Sequence, residues 1–99
     1  MLLCELCGRK QLALTRHHLF PRSRQKKPRF QRLHTKQEGM TEIAMLCKGC
    51  HGFVHQILTE KELEQSYHSI GALREHPAIS KFVEWLSKKP PGFEPQLRR

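Results

Sequence analysis

The 99-residue chain contains no aspartate and no asparagine. All nine of its acidic residues are therefore glutamates, and a metal or acid–base site built from aspartate is excluded. Long apolar runs are missing as well. Nowhere do about eighteen apolar residues follow one another, so no membrane-spanning helix is expected. The opening "MLLCELCGRK" breaks its short apolar stretch with a cysteine, too early for a secretory signal. The expected location is the cytoplasm, where four cysteines point to metal rather than disulfides. Acidic charge is scarce in the front half. Residues 1–50 carry eleven Lys and Arg against three Glu, and residues 51–99 carry seven against six. Of the net charge of +9, +8 is gathered on the front half, which points to an anionic partner, nucleic acid before others. A chain this short buries only a modest core, so one domain supported by a structural metal or a cross-link is expected.

What the sequence does hold is cysteine and histidine in tight spacing. Cys4-x2-Cys7 and Cys47-x2-Cys50 are two knuckles separated by 39 residues. Four soft thiolates in two x2 pairs suit one tetrahedral Zn²⁺ with a structural role, stapling the N-terminus to the start of a helix. "CKGCH" also fits the haem-attachment pattern, but haem leaves Cys4 and Cys7 unexplained and comes with no export signal.

Apolar Leu12 and Leu14 predict a strand over 11–18 that ends at His17-His18. "LFPRSRQKKPRFQRLHTKQEG" is polar, holds two prolines and predicts a long loop over 19–40. "MTEIAMLC" predicts a second strand. A helix follows from about Cys50, with Phe53, Val54, Ile57 and Leu58 on one side. Thr59 and Glu62 form the pattern of a capping box, and Pro77 suits the first turn of a last helix. That helix places Ile79, Phe82, Val83 and Leu86 at core spacing, with Trp85 beside them. The expected division is a core over 1–58, a helical extension packing on it over 59–89, and a flexible tail over 90–99.

His51 and His55 lie four apart on the predicted helix and share a face, a spacing suited to one metal ion. His17 and His18 are neighbours on a strand and point to opposite sides. One of them can join the helix pair as a ligand while the other activates water. His34, His68 and His76 show no such pattern and read as surface residues.

"RHHLFPRS" followed by "TEIAMLCKGCHGFVH" resembles the HNH endonuclease family. The resemblance covers roughly residues 4–58 and implies an α+β protein with a ββα-metal (His-Me finger) core, a structural Cys4 zinc site and added C-terminal helices. His17-His18 and His51-x3-His55 look most like the nuclease colicins. By that resemblance His17, His51 and His55 bind the catalytic ion and His18 is the general base. The family's middle Asn has no counterpart here. By spacing, Glu42 takes its place, with Thr41 adjacent, and its carboxylate is suited to holding His18. The implied activity is hydrolysis of DNA phosphodiesters to 5′-phosphate and 3′-hydroxyl ends. A catalytically impaired, zinc-stabilised nucleic-acid-binding module is the alternative.

Both jobs require neutral imidazoles, hence a pH above about 6.5. Three nitrogen ligands and no aspartate favour Mn²⁺, Ni²⁺, Co²⁺ or Zn²⁺ over Mg²⁺. Arg16, Arg22, Arg24, Lys26, Lys27, Arg29, Arg32 and Lys36 fall within 21 residues and are the expected phosphate contacts. Phe20 reads as packing, and Phe30 can touch sugars or bases. Nothing resembles a base-reading helix, so weak sequence preference is expected, with a homodimer as one way to cut both strands.

Overall fold

The computed structural model describes residues 2–11 and 13–97, leaving out the side chains of Lys36, Glu38 and Met40. The chain is a small α+β protein with two separate two-stranded antiparallel sheets among the described residues. In the first, β1 (Leu2–Leu3) pairs with β2 (Lys10–Gln11), Leu2 opposite Gln11. The tight turn between them passes through Gly8 at φ +78°, a left-handed conformation that favours glycine. In the second, β3 (Thr15–His18) pairs with β4 (Ile43–Leu46), Thr15 opposite Leu46 and His18 opposite Ile43. The strand expected over 11–18 is thus divided between two sheets. Leu12 lies outside the described residues.

The segment 19–40, expected as a loop, is folded into three short helices: α1 (Arg22–Gln25), α2 (Pro28–Leu33) and α3 (Lys36–Thr41). Helices this short do not persist on propensity alone, and tertiary contacts hold them. Pro28 sits in the first turn of α2, where its missing N–H costs nothing. Phe30 is buried at 1% exposure and packs edge-on against Phe20, their ring centres 5.1 Å apart. The Gln25 amide donates to the carbonyls of Phe20 and Gly39, at 2.8 and 2.9 Å, and so ties α1 to α3. Because α3 ends at Thr41, the second strand starts only at Ile43.

After β4 a single residue, Cys47, leads into α4 (Lys48–Ile57), which packs on both β3 and β4. The Cys47 sulfur takes the N-cap place and accepts from the Cys50 N–H. Then come α5 (Glu60–Gln65), α6 (Ile70–Glu75) and α7 (Pro77–Ser87). The capping box forms, with the Thr59 side chain accepting from the Glu62 N–H and the Glu62 carboxylate accepting from the Thr59 N–H. Such a cap is worth about 1 kcal/mol. Ile79 and Leu86 of α7 are fully buried, and Phe82 stacks on Phe53 of α4 at 4.0 Å. Trp85 faces outward at 44% exposure, with the Lys89 ammonium over its ring.

The C-terminal segment, expected to be free from residue 90, is docked. A turn at Pro90–Phe93 accepts two hydrogen bonds from the buried Arg9 guanidinium, at 2.9 and 3.0 Å. Pro95 lies so close to Gly49 of α4 that a Cβ there would meet its ring at 2.8 Å. The reason is Arg9, a buried cation whose donors need acceptors. Among the described residues no helix is long and apolar enough to cross a membrane.

Candidate functional site

Two clusters of metal-ligating side chains form where the β-turn of the N-terminus and strand β3 meet α4. In the first, Cys4, Cys7, Cys47 and Cys50 are all buried, and their sulfurs lie within 4.8 Å of one another. No disulfide joins them. The Cys7 and Cys47 sulfurs are 3.8 Å apart. Thiolates at the corners of a tetrahedron with bonds of about 2.3 Å are spaced by about the same distance. Each knuckle adds a backbone donor to its own sulfur, Cys7 N–H to Cys4 Sγ and Cys50 N–H to Cys47 Sγ, both 3.5 Å. The Arg9 guanidinium donates to Cys47 Sγ at 3.7 Å, which offsets the charge of ionised sulfurs. Hydrogen bonds from Cys47, Cys50 and Cys7 hold the Cys4 thiol below its usual range, while hydrogen bonding to Cys4, Cys47 and Cys7 together with burial pushes Cys50 up.

In the second cluster, His17 of β3 meets His51 and His55 of α4, with their donor atoms within 4.8 Å of one another. The ring centres stand 5.1, 5.1 and 5.0 Å apart. The i, i+4 spacing on α4 stacks the helix pair on one face, and α4 turns that face to β3. His17 is completely buried, yet both its ring nitrogens lack any hydrogen-bond partner. A buried polar atom without a partner costs about 1–3 kcal/mol, and a metal ion on its lone pair removes that cost. Burial, then the neighbouring His51, His55 and His18, lower the His17 pKa to about 4. Burial also lowers His51 and His55, with His55 and His18 adding to the effect on His51 and Glu60 opposing it on His55. The triad is therefore neutral, and able to bind a metal, at a lower pH than an ordinary histidine set. The residues fit a metal ion in both clusters.

The triad is not closed. A cleft of about 260 Å³, lined by Thr15, Lys48, His51, Gly52 and His55, opens onto it. Three of these residues, Thr15, Lys48 and Gly52, escaped the sequence reading. Lys48 stands at i−3 from His51, so the stripe 48, 51, 52, 55 was available from helical periodicity. Thr15 stands two before His17 on the same face of β3. Its hydroxyl bonds the Leu46 carbonyl at 2.9 Å and His51 Nδ1 at 2.8 Å. Arg9 also escaped notice, and no local signal marks it.

His18 lies outside the triad, half-buried, on the opposite side of β3 from His17. Burial, then Arg22 and Arg16, lower its pKa, so it is neutral and can accept a proton at physiological pH. The Glu42 carboxylate is exposed and makes no hydrogen bond to His18. The residue acts through its backbone instead, its carbonyl accepting from Leu19 N–H at 3.0 Å. Glu42 stands at the turn into β4, one residue before Ile43, and its side chain is directed outward.

The basic residues divide. Arg16, Arg22, Lys26, Lys27, Arg29 and Arg32 are exposed. Arg24 is committed to an ion pair with the buried Glu64 at 3.0 Å, fastening α1 to α5. The Lys36 side chain lies outside the described residues. Arg22 and Lys26 also line a cavity of about 830 Å³ together with Phe30 and His34. Phe30, expected as a possible contact, is core. Of the remaining histidines, His68 stacks on Phe20 and His76 Nδ1 caps α7 by accepting from Ala78 N–H.

No protein-family profile matches the chain, and no solved structure does. The chain is 38% identical over 91 residues to the uncharacterized protein YisB of Bacillus subtilis (strain 168), an alignment spanning 90% of this chain and 77% of that protein.

Proposed function

The chain belongs to the family of YisB, and for it we propose a metal-dependent HNH endonuclease that hydrolyses DNA phosphodiester bonds. One observation carries this reading: a fully buried His17 with both ring nitrogens unpartnered, set against His51 and His55 beneath an open cleft. The order β3, β4, α4 around that triad supports a ββα-metal core. In this reading the cysteine cluster holds a structural zinc.

His17, His51 and His55 would hold a divalent ion, which when bound would supply positive charge to a scissile phosphate. The cleft lined by His51 and His55 would admit the substrate. His18 takes the proton of the attacking water, a role its lowered pKa and half-exposed position suit. Lys48 at the cleft and the exposed cations of 16–32 bind phosphates and position the backbone without reading bases. With nitrogen donors, Mn²⁺, Ni²⁺, Co²⁺ or Zn²⁺ suit the triad better than Mg²⁺.

A plasmid-nicking assay tests the reading. The expected result is metal-dependent nicking by the wild type. His18→Ala should reduce it by about 10²–10⁴-fold, with no recovery at high Mn²⁺. Equal activity of the two proteins would remove His18 from the chemistry, and no nicking with any divalent ion would remove the enzyme. One observation favours the second reading, a zinc-stabilised nucleic-acid-binding module: the outward Glu42 carboxylate leaves His18 without an orienting partner. DNA binding without nicking is its signature.

A further inference from the structure

Thr15 belongs to neither metal cluster, yet its single hydroxyl proton decides how the triad presents itself. Its oxygen lies 2.9 Å from the Leu46 carbonyl oxygen and 2.8 Å from His51 Nδ1. A carbonyl has no proton to give, so the hydroxyl donates to Leu46. The same oxygen can then only accept from His51, and Nδ1 must carry the ring's proton. The lone pair is left on Nε2, the one nitrogen of that ring able to take a metal. His17, by contrast, has no hydrogen bond at either nitrogen.

We propose that Thr15 is a positioning residue of the triad: its hydroxyl fixes His51 as the Nδ1–H tautomer, so that Nε2 is offered to a divalent transition ion. The proposal rests on the reading that the triad holds a metal. Strand geometry makes it possible, because Thr15 and His17 share the face of β3 that meets α4. The Leu46 carbonyl anchors the relay from the other strand, one residue before the N-cap Cys47. The relay therefore links the ring to the backbone that enters the cysteine cluster. A hydroxyl suits this place, because it gives and takes at once, where a carbonyl or carboxylate alone only accepts.

The test uses the full chain with its cysteine cluster loaded with zinc, as wild type, Thr15→Ser and Thr15→Val. Long-range ¹H–¹⁵N spectra at pH 8, without metal at the triad, report the His51 tautomer. The expected result is Nδ1–H in wild type and Thr15→Ser, and a gain of Nε2–H in the isosteric Thr15→Val. Titration with Co²⁺ alone, followed by its visible absorption, should show affinity about 10–100-fold weaker in Thr15→Val and near wild type in Thr15→Ser. A wild-type His51 protonated at Nε2 overturns the proposal, as does a Thr15→Val protein that binds Co²⁺ as tightly as wild type. If the wild type binds no Co²⁺ at the triad, the metal reading fails, and the proposal for a metal-positioning Thr15 is overturned with it. The wild-type tautomer tells the two failures apart: Nδ1–H with no Co²⁺ faults the metal reading, and Nε2–H with tight Co²⁺ faults Thr15 alone.

Discussion

The cysteine cluster and the histidine triad draw on the same helix and differ in how they end. Cys50 and His51 are neighbours in α4, yet one side chain is sealed and the other opens to a cleft. Four sulfurs, two N–H···S bonds and the Arg9 guanidinium leave the first cluster with no vacant direction. Three imidazoles and a 260 Å³ opening leave the second with one. Closed sets of four hold folds together, and open sets of three admit a water or a substrate. One residue step, about 100° of helix, thus separates a closed cluster from an open one.

The sharpest way to break the comparison is to remove one ligand from each side. Cys50→Ser should abolish cooperative thermal melting, because structural zinc contributes on the scale of the whole stability of a small domain, about 5–15 kcal/mol. His55→Ala, at an exposed position, should leave the melting temperature within a few degrees of wild type. Melting followed by circular dichroism, with metal analysis, decides. Equal losses in the two variants would erase the distinction.

Acid should separate the clusters next. With the triad free of metal, His17 titrates at about 4 because of burial and the neighbouring imidazoles, against about 6.5 in the unfolded chain. Between those values the unfolded chain binds a proton that the folded chain does not, so stability is full above pH 6.5 and falls as pH drops toward 4. His17 accounts for roughly 3 kcal/mol of that fall. Urea unfolding between pH 7 and 5 should show a steeper loss in wild type than in His17→Gln, and loading the triad with metal should leave the wild-type slope at least as steep, because ion-bound rings carry no proton. Parallel slopes with and without His17 would contradict its burial as a neutral ring.

The smallest effect concerns the basic segment. Lys26→Ala and Lys27→Ala together should reduce the log–log salt slope of DNA binding by about 0.9 per lost contact, with folding unchanged. Arg24→Ala should do the reverse, leaving the slope and lowering stability, because it strands the buried Glu64. Filter binding at several salt concentrations and urea melts of the three proteins separate the two roles.

Much of this architecture was legible because its signals are local. The x2 knuckles, the i, i+4 histidines, the Thr59–Glu62 box and the Pro77 start each lie within five residues and depend on nearest-neighbour geometry. The helices of 22–41 were not legible. Phe30, Gln25 and Arg24 hold them through partners from 5 to 40 residues away, and spacing within a polar, proline-bearing stretch carries no trace of that. The docked turn at Pro90–Phe93 depends on Arg9, more than 80 residues distant. The same limit hid Thr15, whose two partners are 31 and 36 residues downstream. Glu42 shows the opposite error. The strand predicted over "MTEIAMLC" took in Glu42, whereas β4 begins only at Ile43; a side chain at the turn before a strand follows local backbone direction, and this one leads outward.

Gly49 and Gly52 make α4 a poor helix by composition, each costing about 1 kcal/mol against alanine. Ten residues are also too few to sustain a helix in water unaided. The costly step in helix formation is nucleation, the fixing of the first turn, and that turn runs from Cys47 to Cys50. An ion gathered by the four sulfurs would fix that turn, so His51 and His55, placed one residue and one further turn along α4, would inherit their alignment from it.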